Sequence, residues 1–361
     1  MAKISISMEQ KLQFDFATTQ KVIQYISKID QFKGAWENLN FEENKYLKEL
    51  RKIATIQSIG SSTRIEGSTL TDVEIASLIK NLKISKLQSR DEQEVVGYYD
   101  TLETILDNHA DIGLTISNIH GLHNLLLKHS SKDNKHKGKY KEMTNQVVAT
   151  YPDGTTRMIF RTTEPYLVHK EMEALVDWTN QAIAQKEIHP LIVIAAFVYE
   201  FLSIHPYQDG DGRLSRLLTN LLLIKHEYEF IQYISLEHII EQNKKAYYQA
   251  LMEGQKDRYN GQERIDQWIL FFLNSLSDLI LKLEHKVKAF RALGGYLNDR
   301  QKRILEYVRQ NQPVKIGDLA ANLKEYKLPS IKKDLQYLVK EMEIEKLGQN
   351  KGTVYIIRQD K

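Results

Sequence analysis

The strongest constraint on the fold is the apolar run Leu191 to Ile204, broken by one charge, Glu200. A run of that length reads as a buried helix. It is too short and too polar to span a membrane. It leads directly into His205-Pro206-Tyr207-Gln208-Asp209-Gly210-Asp211-Gly212-Arg213-Leu214-Ser215-Arg216. A loop at the end of a buried helix stands on a rigid platform, which positioned chemistry requires.

The other 3.6-period patterns agree with a mainly helical chain, with only six prolines and 17 glycines in 361 residues. Thr71-Asp72-Val73-Glu74 is a capping box ahead of Ile75, Leu78 and Ile79. Further helices are predicted over Lys48 to Ser62, Leu114 to Lys128, Glu171 to Ala184, Leu217 to His226 and Ile265 to Lys288. One segment, Asn145 to Phe160, has β-branched arms around Pro152-Asp153-Gly154 and predicts a hairpin whose free edge can pair with another chain.

The absence of cysteine excludes disulfides and thiolate metal sites and suits a reducing, cytoplasmic setting. The first 21 residues carry no continuous hydrophobic stretch, so no signal peptide or membrane association is expected. The net charge of +3 does not mark the whole chain as a nucleic-acid binder. Asn298 to Lys361, however, holds 14 Lys and Arg against 9 Asp and Glu, a net of +5 that leaves −2 for the rest. After Gly294-Gly295 the pattern is helical over Arg300 to Arg309, Ile316 to Leu323 and Pro329 to Glu341. Two short strands, Ile344 to Leu347 and Val354 to Ile357, then flank a glycine-containing turn. Three helices and a hairpin resemble a winged helix, whose third helix (with Lys332, Lys333 and Lys340) would face a DNA groove. Protein binding or dimerisation is the alternative.

The chemistry of the His205 run follows from its residue types. Gly210 and Gly212 let the backbone turn and bring its amides to a ligand, and a helix starting near Gly212 favours an anion there. Arg213 and Arg216, three apart, reach one polyphosphate. Asp209 supplies hard oxygen for Mg²⁺, and His205 is a base near neutral pH. The set implies phosphoryl- or nucleotidyl-group transfer. It is not a P-loop, because no Lys-Ser/Thr follows the glycines.

His205, Pro206, Asp209, Gly210, Gly212, Arg213 and Arg216 resemble the Fic (Fido) motif, with Tyr207 in place of Phe and Asp211 in place of Asn. The resemblance extends to the helix around His123, to Gly138-Lys139-Tyr140-Lys141, and to Asn243 with Tyr247-Tyr248. It implies an all-helical Fic fold with a hairpin flap and a protein adenylyltransferase that moves AMP from ATP to a Ser, Thr or Tyr hydroxyl, itself included. His205 would take the hydroxyl proton, and Asp209 would hold Mg²⁺. Gly210, Asp211, Gly212, Leu214 and Ser215 would frame the anion loop, and Arg213 and Arg216 would meet the phosphates. Tyr248 would lie by the adenine or ribose. Val147, Val148, Ala149 and Thr150 would border the nucleotide in a flap, 147–160, that docks the target.

Ser62-Thr63-Arg64-Ile65-Glu66-Gly67 fits the family's inhibitory pattern, in which Ser62, Glu66 and Gly67 shape a helix end and Glu66 takes Arg216 from the γ-phosphate. The implied order is N-terminal helices with this motif over 1–95, the Fic core over 96–256, a helical connector over 257–296 and the winged helix over 297–361, in a homodimer. Asp211 keeps open a transferase of another phosphate-containing group or a de-AMPylase. The basic tail keeps open a DNA-binding regulator with a nucleotide-sensing body. His189-Pro190 is a helix start, and His120, His123 and His129 are helix-face or core histidines.

Overall fold

The computed structural model describes residues 7–37, 45–82, 87–150, 156–292, 297–340, 343–348 and 352–358. The predicted turn Pro152-Asp153-Gly154 and the Gly294-Gly295 break lie outside them. The chain forms two compact units, Met1–Glu284 and His285–Lys361.

The first unit runs α1 (Met8–Lys11), α2 (Phe16–Glu37), α3 (Lys45–Ile65), α4 (Asp72–Lys80), α5 (Arg90–Asn108) and α6 (Ile116–Leu126). The hairpin β1 (Gln146–Thr150) and β2 (Thr156–Arg161) follows. Then come α7 (Pro165–Gln185), α8 (Pro190–Ile204), α9 (Asp211–Lys225), a 3-10 turn, α10 (Leu236–Gln242), α11 (Lys244–Gln255) and most of α12 (Asp266–Ala292). Among the described residues, no helix is long and apolar enough to cross a membrane.

α8 is the axis of this unit. Every residue from Val193 to Ile204 is buried. It packs against α7 on one side and α9 on the other, and α9 in turn meets α5 and α3. His189 caps α8, accepting from the Leu191 amide at 3.3 Å, with Pro190 at the first position where its missing N–H is harmless. The capping box at Thr71 forms, with Glu74 reaching back to the Thr71 amide at 2.8 Å. α3 runs three residues past its predicted end, which carries it to Ile65 and sets Glu66 on its terminus.

β1 and β2 pair antiparallel, Gln146 with Arg161 and Thr150 with Thr156, with a register shift between Val147 and Val148. The hairpin is therefore a two-stranded excursion between α6 and α7.

The second unit holds α13 (Asp299–Asn311), α14 (Ile316–Asn322), α15 (Leu328–Lys340), β3 (Ile344–Leu347) and β4 (Val354–Ile357). Its own core includes Ile304, Val308, Leu319, Ile331, Leu335 and Ile344. β3 pairs with β4, and Val314 bridges to Tyr355, so β4 is bonded on both edges.

Candidate active site

The twelve-residue run caps α8 and starts α9. α8 ends on His205 in the left-handed region, φ 52°, and Gly210 precedes α9 at φ 90°, a conformation that disfavours side chains. The loop between them brings His205 Nε2 to 3.4 Å from the carboxyl of Asp211, the first residue of α9. His205 Nδ1 lies 3.3 Å from the Leu202 carbonyl and donates to it, leaving the Nε2 lone pair as the basic atom. Burial, then the charge of Lys141, depresses this imidazole to about 4 against the pull of Glu66 and Asp209, so it is neutral at neutral pH.

Arg213 and Arg216 are almost fully buried on adjacent turns of α9. Arg213 Nη2 meets Asp209 Oδ1 at 2.8 Å, and Nη1 stands 3.0 Å from Glu94. Nη1 is thus ion-paired, and among the described residues Nε has no hydrogen-bond partner. A buried guanidinium beside the start of α9, with one donor unused, suits an anionic ligand. The carboxylate of Asp209 is one-quarter exposed and also receives Arg90 at 3.0 Å. Burial raises Asp209, but Arg213 and Arg90 outweigh that and hold it below the usual range.

Arg216 is bound to the end of α3. Its Nε donates to Ser62 Oγ at 2.7 Å, and its Nη2 donates to the Ser62 carbonyl at 2.9 Å and to Glu66 Oε1 at 2.7 Å. Burial pushes Glu66 up, but the Arg216 charge and hydrogen bond prevail and keep it ionised. The same carboxylate presses on the loop, because a Cβ built on Gly212 would stand 2.2 Å from Glu66 Oε1. Glu66 thus lies where the amide end of α9 and Arg216 converge, the position an anionic ligand would take. Gly67 follows with φ 108°, closing the turn after α3.

Asp211 is buried and accepts from the Tyr207 amide at 3.0 and 3.3 Å, with His205 Nε2 at 3.4 Å. Burial drives its carboxyl well above the usual range. Leu214 and Ser215 are buried in α9, Ser215 donating to the Gly212 carbonyl at 2.8 Å. Val147 to Thr150 form β1, and of the last three only the backbone is described. Tyr248 is half-buried on α11 and meets Tyr247 edge to face at 5.2 Å.

Three residues that lie in the stretches carrying the resemblance take roles the sequence reading did not assign. Tyr247 is buried against Arg216, whose charge opposes its burial-driven rise to about 12. Lys141 ties the hairpin to the His205 loop. His123, assigned to the helix face or core, is a strut for the loop: it accepts from the Gly138 amide through Nδ1 and donates from Nε2 to the Asp209 carbonyl, both at 2.9 Å, and stacks on Tyr207 at 3.7 Å. Its burial at an otherwise apolar helical spacing was the available signal. Tyr207 uses the hydroxyl that Phe lacks on His120 Nδ1, at 2.8 Å. His129 pairs with Asp100 at 2.8 Å. Among the described residues, no group of three or more His, Asp or Glu is arranged to hold a metal.

With this geometry in place, comparison with known proteins gives a consistent family. The Fic/DOC family matches residues 113–223. The chain is 30% identical over 189 residues to the protein adenylyltransferase Fic of Drosophila willistoni, and 28% over 219 residues to that of Aedes aegypti. These matches cover 52% and 58% of this chain but 35% and 41% of those proteins, so the chain spans less than half of the curated relatives it matches. Among solved structures, a Fic family protein from Desulfovibrio desulfuricans G20 aligns over 97% of this chain and 98% of its own, with a TM-score of 0.62 at 20% identity. A Fic domain containing signaling protein from Bacteroides thetaiotaomicron aligns over 77% and 99%, with a TM-score of 0.59 at 26% identity. The architecture is the all-helical Fic fold with its β-hairpin.

Proposed function

We propose that this chain is a protein adenylyltransferase held in check by its own Glu66. The carrying observation is the shared use of Arg216 and the Gly212 turn, which the Glu66 carboxylate occupies and which an ATP phosphate would need. One guanidinium cannot serve a carboxylate and a phosphate in the same geometry. The relatives named protein adenylyltransferase support the reaction class.

In this reading a target hydroxyl attacks the α-phosphorus of ATP, a new P–O bond forms, and the bond to pyrophosphate breaks. His205 Nε2 accepts the hydroxyl proton. The amides at the start of α9 and the buried Arg213 guanidinium bind the phosphate chain. A single partly exposed carboxylate beside a phosphate site fits Mg²⁺, which takes one or two carboxylates together with phosphate oxygens and water. Asp209 would hold it, and its charge would offset that of the phosphates.

Isothermal titration with a non-hydrolysable ATP analogue and with the GTP counterpart tests the reading. Glu66→Gly binding the adenine nucleotide more tightly than wild type supports it. A preference for guanine, or no change on Glu66→Gly, speaks against it.

A second reading concerns the C-terminal unit. On α15, Ile331, Asp334, Leu335 and Leu338 face the core, while Lys332, Lys333, Gln336 and Lys340 are exposed on the other side. A basic helix face on a small unit with a hairpin is suited to duplex DNA. Fluorescence anisotropy with duplex DNA should show affinity that falls with salt and falls further in Lys332→Glu/Lys333→Glu. Salt-independent or unaltered binding would argue for a protein partner instead.

A further inference from the structure

The hairpin leaves the helical body between Asn145 and Thr162, and both residues meet at one ammonium. Lys141 is 3% exposed. Its Nζ donates to Asn145 Oδ1 and Thr162 Oγ1, each at 2.8 Å, and to the Ile204 carbonyl at 3.1 Å, using all three donors. The Lys141 amide donates to the Pro206 carbonyl at 2.9 Å, and Asn145 Nδ2 donates to the Tyr207 carbonyl at 2.8 Å. The carbonyls of Ile204, Pro206 and Tyr207 are thus held on both sides of His205 by the root of the hairpin.

These carbonyls are left over because His205 leaves the helix in the left-handed region. A cation at the carbonyl end of α8 also suits the helix dipole. Yet none of the three acceptors of the ammonium is a carboxylate, and burial lowers Lys141 to about 8. Packing alone would be met more cheaply by an apolar side chain.

We propose that Lys141 is a positioning residue that locks the root of the hairpin to the His205 loop, so that a hydroxyl presented along the hairpin arrives at His205 Nε2. The proposal rests on the reading of His205 as the base. The charged groups facing His205 are Lys141 from the hairpin root, Glu66 from the end of α3, and Asp209 and Asp211 from its own loop. Lys141 is the one of these that disfavours the imidazolium, while Glu66 and Asp209 favour it.

The test uses the full chain carrying Glu66→Gly, with Lys141→Met or Asn145→Ala added. Three quantities are read: the rate of label transfer from ATP, the affinity for ATP by calorimetry, and the pH at which His205 titrates in ¹⁵N-histidine NMR. Lys141→Met should slow transfer by roughly tenfold or more, as expected for a misplaced reacting group. It should leave ATP affinity within about twofold, since Lys141 does not touch the anion loop, and His205 should titrate at higher pH. Asn145→Ala, which retains the ammonium, should slow transfer without moving the His205 titration, and it carries the test if Lys141→Met does not fold. Unchanged transfer in both variants, or ATP affinity falling in step with transfer, would overturn the proposal. If the Glu66→Gly parent transfers no label, the base reading fails separately, and an unmoved His205 titration in Lys141→Met then rejects the Lys141 role as well.

Discussion

Arg216 is the residue on which the account turns. Its guanidinium is buried, and its hydrogen bonds run to Ser62 and Glu66 from one helix end. Removing the carboxylate in Glu66→Gly leaves that guanidinium free for a phosphate. ATP affinity measured by calorimetry should rise by roughly 5–150-fold, the range typical of a coupling free energy of about 1–3 kcal/mol. His123 makes a second prediction. Both its ring nitrogens are bonded to backbone groups of the Gly138 turn and the Asp209 loop. His123→Ala strands a buried amide and carbonyl, so thermal melts should show a loss of about 1–3 kcal/mol together with weaker nucleotide binding. The His205, Asp209, Arg213 and Arg216 set was legible in the sequence because charged groups and glycines at fixed spacing leave little choice of chemistry. The roles of His123 and Lys141 were not, because each bonds a carbonyl of the His205 loop, Asp209 and Ile204, far away in sequence, and sequence carries no mark of which carbonyls a fold leaves unpaired.

At the scale of elements, α3 acts as the arm that delivers Glu66. Its last turn is tied down by Arg64, which meets Glu241 on α10 at 2.7 Å and Asp72 on α4 at 2.9 Å. Lys244 adds a bond to the Ile65 carbonyl at 2.9 Å. Arg64→Ala removes the tie but leaves the inhibitory carboxylate in place. ATP affinity should then rise above wild type while staying below Glu66→Gly, and affinity equal to wild type would show that the tie is passive. The capping box at Thr71 and the strand pattern around residues 145–160 were readable because both signals are local. The full length of α3 was less so: Thr63 and Ile65 continue the helix by packing and by Thr63 bonding back to the Ile59 carbonyl at 2.9 Å, a tertiary extension that propensity alone does not announce.

At the scale of the whole molecule, α1 is pinned to the core by charge. Lys11, nearly fully buried, pairs with Glu200 on α8 and with Glu263 at 2.8 Å, and Arg258 meets the same two carboxylates at 2.9 and 3.0 Å. Burial raises Glu200, but Arg258 and Lys11 overcome it and hold the group at about 2, below its ordinary 4.5. A depressed carboxyl contributes stability that is complete above the unfolded value and is lost as pH falls through the folded one. Circular dichroism on acidification should therefore show stability declining from about pH 4.5 toward 2. Lys11→Met removes one cation, so the acid midpoint should shift to higher pH, and neutral-pH stability should fall by about 3–5 kcal/mol as a buried carboxylate loses its partner. The apolar run of α8 could be read from sequence as buried, and Glu200 as its one interruption. That Glu200 anchors a separate N-terminal turn depends on long-range packing and could not be.

The most direct measurement of the central claim is label transfer from two forms of ATP to the protein itself, with Mg²⁺, in wild type, Glu66→Gly and Glu66→Gly/His205→Ala. Covalent label is expected from α-labelled ATP and none from γ-labelled ATP, weak in wild type and strong in Glu66→Gly. In the double variant transfer should fall by about 10²–10⁴-fold, the usual contribution of a positioned base. No α-label on Glu66→Gly, or transfer of the γ-label in its place, would contradict it.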